Sequence, residues 1–120
     1  MGRADIEDAL DRLAYAHDQL NSLSASEGAE WKKDYLKWRR ELQEQITSLC
    51  QADANLTLSD DDKRLFRESF SKFRSVTALH QADWPVVSID RQDPNYRHSA
   101  DNVGQAYQNF MTVMRRLLDR

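Results

Sequence analysis

Three histidines, one cysteine and a few serines and carboxylates are the side chains of this 120-residue chain that could do chemistry. His17 and His80 fall inside apolar helical stripes. On a helical wheel His17 lies between Ile6 and Leu10, and His80 between Val76 and Phe73. A buried imidazole needs a hydrogen-bond partner or a ligand. With His98 and a carboxylate, these two would be the residues to hold a metal ion or cofactor. The spacing argues against such a site. No Glu-x-x-His pair of the di-iron bundle type occurs, and no two histidines share a helix at ligand spacing. At 1.5 Å of rise per residue, His17 and His80 also differ in height along their helices by roughly 12 Å. The expectation is therefore two satisfied core or boundary histidines, with no metal and no cofactor. A ligand- or metal-sensing bundle built on His17 and His80 is the alternative.

Material for nucleophilic catalysis is thin. Cys50 flanks an apolar stripe and is expected to pack as a small apolar residue. As the single cysteine it excludes an intramolecular disulfide and a multi-cysteine zinc site. Ser88, His98, Ser99 and Asp101 are close in sequence, but no glycine-rich turn frames them as a nucleophile elbow would. There is no phosphate-cradling glycine loop and no H-x-x-x-H or H-E-x-x-H pairing. A phosphotransfer histidine must be exposed in mid-helix, whereas His17 and His80 are expected to face inward and His98 to lie in a loop. The chain reads as non-enzymatic.

The stretch Trp31-Lys32-Lys33-Asp34-Tyr35-Leu36-Lys37-Trp38-Arg39-Arg40 interleaves rings and cations, which could suggest stacking on bases. Trp31, Tyr35 and Trp38, however, occupy the i, i+4 and i+7 positions of a helical stripe. Their rings should point inward while the cations face water. A net charge of −3 also disfavours a nucleic-acid partner. Charge is blocky: residues 1–30 and 41–62 are net acidic, 31–40 and 63–75 net basic. Of the two ends of the expected bundle, one would set Asp5, Glu7, Asp8 and Asp11 against Lys63, Arg64 and Arg67.

The elements that position these residues follow from the apolar periodicity. Ile6, Leu10, Leu13, His17 and Leu20 mark a helix from about Ala4 to Leu23. A second should begin after Ser26, carry Trp31, Tyr35, Trp38, Leu42, Ile46 (or Gln45) and Leu49, and end near Asp53. Ser59-Asp60-Asp61-Asp62 is a start signal, a capping hydroxyl followed by carboxylates at the positive helix end. The third helix then carries Leu65, Phe66, Phe70, Phe73, Val76 and Leu79, and stops at Trp84-Pro85 because proline disfavours helical geometry in the residue before it. The fourth should start near Ser99 or Ala100, with Val103, Tyr107, Phe110, Met114 and Leu117 inward. Glycine and proline are scarce, with 3 and 2 copies, which suits long helices and few loops.

These features predict an all-α protein: one domain, residues 1–120, folded as an antiparallel up-down-up-down four-helix bundle. One long irregular loop, residues 84–98, kept out of helix by Pro85 and Pro94 toward its two ends, joins helices 3 and 4. A connection of that length is uncommon in a compact domain and is often functional. The run Val86–Ile89 has the composition of a short extended segment. In the expected topology, Trp31, Tyr35, Trp84, Tyr96, Arg97 and His98 converge on one end of the bundle. Tryptophan, tyrosine and arginine are the residues that dominate binding energy at interfaces. The chain is thus expected to bind a protein partner there, as an adaptor, chaperone, inhibitor or immunity-type regulator. A homodimer through surplus aromatic surface is a further expectation. The acidic start and the lack of a long apolar run point to a cytoplasmic protein with no membrane partner. Ile6 stands where myristoylation wants Ser or Thr, so that anchor is not expected.

Overall fold

The computed structural model describes residues 3–23, 30–50 and 52–119. It is all-helical, and its helices pair as in a helical bundle. Helix α1 spans Arg3–Leu23, α2 Trp31–Leu49, α3 Ala52–Asn55, α4 Asp60–Asp83 and α5 Pro94–Leu118, with a 3-10 turn at Val86–Ser88. The chain divides into two compact units, Met1–Leu56 and Thr57–Arg120. Helix α1 packs on α2 in the first, and α4 on α5 in the second.

In the first unit the expected stripe of α1 is buried at Ile6, Leu10, Leu13 and His17, with Ala9 and Ala16 beside them. Two ion pairs brace the exposed face one turn apart, Arg3 to Glu7 at 3.2 Å and Arg12 to Asp8 at 3.1 Å. Glu7 and Asp8, expected opposite Lys63, Arg64 and Arg67, thus have partners on their own helix. Such exposed pairs contribute about 0.2–0.5 kcal/mol each.

Helix α2 buries Trp31, Tyr35, Leu42, Gln45, Ile46 and Leu49, while Trp38 is only half-buried and Arg39 is buried instead. The start expected after Ser26 involves residues 24–29, outside the described ones. At the other end α2 stops at Leu49, short of the expected Asp53, and Ala52–Asn55 forms a separate helical turn. The cause is local. The Thr47 and Ser48 hydroxyls donate to the Gln43 and Glu44 carbonyls, and the Cys50 N–H tightens onto the Thr47 carbonyl. Hydroxyls that bond back to the preceding turn weaken and bend a helix, and an i to i−3 bond closes its last turn. Cys50 is exposed there, contrary to its expected packing role.

In the second unit, Ser59 caps α4 as its sequence signal predicts: extended in backbone, it accepts a 3.1 Å hydrogen bond from the Asp62 N–H. The buried face of α4 is Phe66, Ser69, Phe70, Phe73, Thr77 and His80. Leu79, expected on the apolar arc, is 65% exposed. The true stripe steps 66, 70, 73, 77, 80, and Leu79 falls on its flank. Helix α4 ends at Asp83, with Trp84 already out of helical geometry before Pro85 (ψ 71°).

The connection that follows is shorter than expected. Val86–Ser88 is a 3-10 turn rather than an extended run, Ile89 is buried, and α5 begins at Pro94, not near Ser99. Pro94 starts the helix instead of breaking it. Its fixed φ suits the first helical turn, where no N–H partner is needed, and the Asp93 carboxylate accepts from the Asn95 N–H at 2.8 Å as the cap. Tyr96, Arg97 and His98 are therefore helical.

Rings fix how α4 and α5 meet. Phe66, Phe70 and Phe73 all contact Phe110, at 5.5–6.3 Å between ring centroids, and Phe73 also meets Tyr107. His80 meets Ser99 and Tyr96. Numbers rise along α4 as they fall along α5, so the pair is antiparallel. Gly104 lies in mid-α5 with nothing within 4 Å of where a Cβ would stand.

Candidate functional site

The junction of α4 and α5 assembles four of the six candidate contact residues. Trp84 stands edge-on to Tyr96 at 5.5 Å, and Tyr96 lies against the His80 ring at 5.4 Å. Tyr96 is buried and Trp84 half-buried, so Tyr96 supports the surface from beneath. Arg97 is exposed, yet its guanidinium is engaged. It donates from Nε to the Arg91 carbonyl at 3.0 Å and from a terminal nitrogen to the Gln92 side-chain oxygen at 2.9 Å. These bonds fasten the turn at 90–93 to α5, a turn that the Asp90 carboxylate also closes by accepting from the Gln92 N–H. His98 is exposed on α5, and Val87 in the 3-10 turn is 82% exposed.

The other two candidates, Trp31 and Tyr35, belong to the first unit. They contact each other edge-on at 5.7 Å and are both buried. The Lys32 ammonium lies 5.7 Å from the Trp31 ring and the Arg39 guanidinium 5.0 Å from the Tyr35 ring. The cations of this stretch therefore do not all face water: some lie over the rings, where the quadrupole attracts them. A second ring pair, Tyr15 on Trp38 at 5.3 Å, is nearer the surface, with Lys37 4.9 Å from the indole.

Each buried histidine has a neutral hydrogen-bond partner. His17 Nε2 is 3.3 Å from the Asn21 amide one turn on, within α1. Burial holds the His17 imidazole below the ordinary histidine value, and the nearby Asp18 carboxylate opposes this with a smaller effect. His80 Nδ1 lies 2.7 Å from the Ser99 hydroxyl, a bond between helices. Among the described residues no group of three or more His, Cys, Asp or Glu side chains is placed to hold a metal ion.

One feature of the second unit was not anticipated from the sequence. An open groove of about 550 Å³ runs between α4 and α5. Val76, His80 and Ala106 form its floor, judged by their burial, with Ser99 beside His80. The exposed Leu79 sits on the α4 rim, Lys72 and Asp83 stand toward its two ends, and Asn102, Gln105 and Asn109 line the α5 side. The signal for it was present in the spacing of the carboxamides: 102, 105 and 109 lie on one helical face beside the apolar stripe. It becomes legible only once α5 is started at Pro94, which sets His80 beside Ser99.

Comparison with protein-family models, with curated proteins and with solved structures finds no match to this chain. No described helix is long and apolar enough to cross a membrane.

Proposed function

We propose that this chain is a non-enzymatic helical module that binds a protein partner through the surface where α4 passes into α5, in the manner of an adaptor, chaperone, inhibitor or immunity-type regulator. The observation that carries this reading is the concentration of exposed apolar surface there. Four large hydrophobic residues are exposed among the described ones, and two of them, Leu79 and Val87, lie within five residues of the half-buried Trp84 along the chain. Exposed apolar side chains grouped beside an indole and an arginine are the usual make-up of an interface centre. The Arg97 bonds and the Asp93 cap brace the turn, and bracing of this kind lowers the ordering cost of docking. Trp31 and Tyr35 enter this proposal only through the expected up-down-up-down topology of a single 1–120 domain. The contact residues on which it depends directly are Trp84, Val87, Arg97 and His98.

The test is affinity capture from the native source with wild type and with a Val87→Glu/His98→Glu variant. Both positions are exposed, so helicity by circular dichroism stays at the wild-type level. Loss of most of the captured partner is expected, and undiminished capture overturns the reading.

A further inference from the structure

We infer that the groove between α4 and α5 takes an extended peptide segment of about five residues that bears opposite charges at its two ends. The inference rests on the protein-binding reading and names how the partner is held.

Length comes first. Lys72 to Asp83 on α4 spans about 16 Å at 1.5 Å per residue, which an extended chain crosses in about five residues at 3.3 Å each. Backbone chemistry selects the conformation. Asn102, Gln105 and Asn109 line one side of the groove, and each carboxamide offers both donors and an acceptor. An extended chain presents unpaired N–H and C=O groups that such side chains satisfy. A helix has already satisfied its own, so its backbone would offer the three carboxamides no replacement for the water it displaced. The opposite rim and the floor are apolar at Leu79, Val76 and Ala106, where alternate side chains of an extended segment would rest.

Charge fixes the ends. Lys72 and Asp83, both exposed, stand three turns apart at opposite ends of the groove. A cation on the ligand complements Asp83 and an anion complements Lys72, while two like charges would always meet one repulsion. His80, hydrogen-bonded to Ser99 at 2.7 Å, ties the two helices together toward the Asp83 end.

The probes are dye-labelled pentapeptides blocked at both termini, read by fluorescence anisotropy. The parent is Lys-Val-Ser-Val-Glu, compared with its end-reversed form and with analogues carrying Lys or Glu at both ends. The parent or its reversal should bind about three- to tenfold tighter than either like-charged analogue, the scale of one or two exposed charge contacts. In Lys72→Glu the preference should move to the Lys/Lys peptide, and in Asp83→Lys to the Glu/Glu peptide. Absence of binding, a charge preference that neither variant moves, or equal affinity for a helix-stapled peptide of the same composition overturns the inference. Val87→Glu/His98→Glu lies outside the groove and should leave peptide binding intact. Unchanged partner capture by that variant, with peptide preference still inverting in the charge variants, would remove the proposed junction surface and keep the groove.

Discussion

The two helix pairs use their rings in different ways. In Thr57–Arg120 the rings are the core: Phe66 and Phe73 are fully buried against Phe110, with Phe70 and Tyr107 closing around them. In Met1–Leu56 the fully buried side chains are aliphatic, Ile6, Leu13, Leu42, Ile46 and Leu49, and the rings work in pairs with cations beside them. The histidines differ in the same sense. His17 is satisfied by its own helix and His80 by the neighbouring one. Flat rings tolerate few arrangements, whereas aliphatic side chains repack. The second unit thus has the more register-specific packing, and the groove and the proposed junction surface lie in it.

The largest effect that tests this contrast is in the ring cluster. Phe110→Ala should cost about 3–5 kcal/mol, and Leu42→Ala in the first unit should fall near the low end of about 2–5 kcal/mol. Guanidinium chloride titrations measure both, and equal losses would erase the distinction. The histidines give the next largest effect. A double-mutant cycle with His80→Leu and Ser99→Ala should return a coupling of about 1 kcal/mol, because the bond is short and joins two helices. The same cycle on His17→Leu and Asn21→Ala should return no more than about 0.3 kcal/mol, since that pair is a longer one-turn contact.

The smallest effect is pH-dependent. Burial keeps folded His17 neutral to lower pH than the unfolded chain allows, so the unfolded state takes up the proton first as pH falls. Stability from this group is complete above the ordinary histidine value of about 6.5, and is lost as pH falls through that value toward the lowered folded one. His17→Gln should flatten the stability profile below about pH 6.5 relative to wild type. An unchanged slope would place the titration elsewhere.

Much of the helical framework was legible in the sequence. Ser59 with the three following aspartates gave the start of α4, and the stripe Val103, Tyr107, Phe110, Met114, Leu117 gave the inward face of α5. Pro94 misled because proline disrupts a helix interior but favours a helix start. The discriminating residue is the one before it, Asp93, which can cap. That error hid the His80–Ser99 bond, whose partners stand 19 residues apart in the chain and meet only through the pairing of α4 with α5. Leu79 was placed inward because a wide apolar arc does not say where its centre lies. The neighbouring helix decides, and it selected Thr77. Burial of Tyr96 and engagement of Arg97 by the turn at 90–93 were equally beyond residue spacing, since both depend on side-chain contacts with other elements.

Gly104 carries one more consequence. Nothing crowds the position, so no close approach demands a glycine there, and in mid-helix it gives up about 1 kcal/mol relative to alanine. It sits between Asn102 and Gln105, two of the three carboxamides of the groove wall. The wall thus carries the residue of lowest helix propensity in the interior of α5: deuterium uptake at the amides around it should exceed that at the ring-packed amides near Phe110.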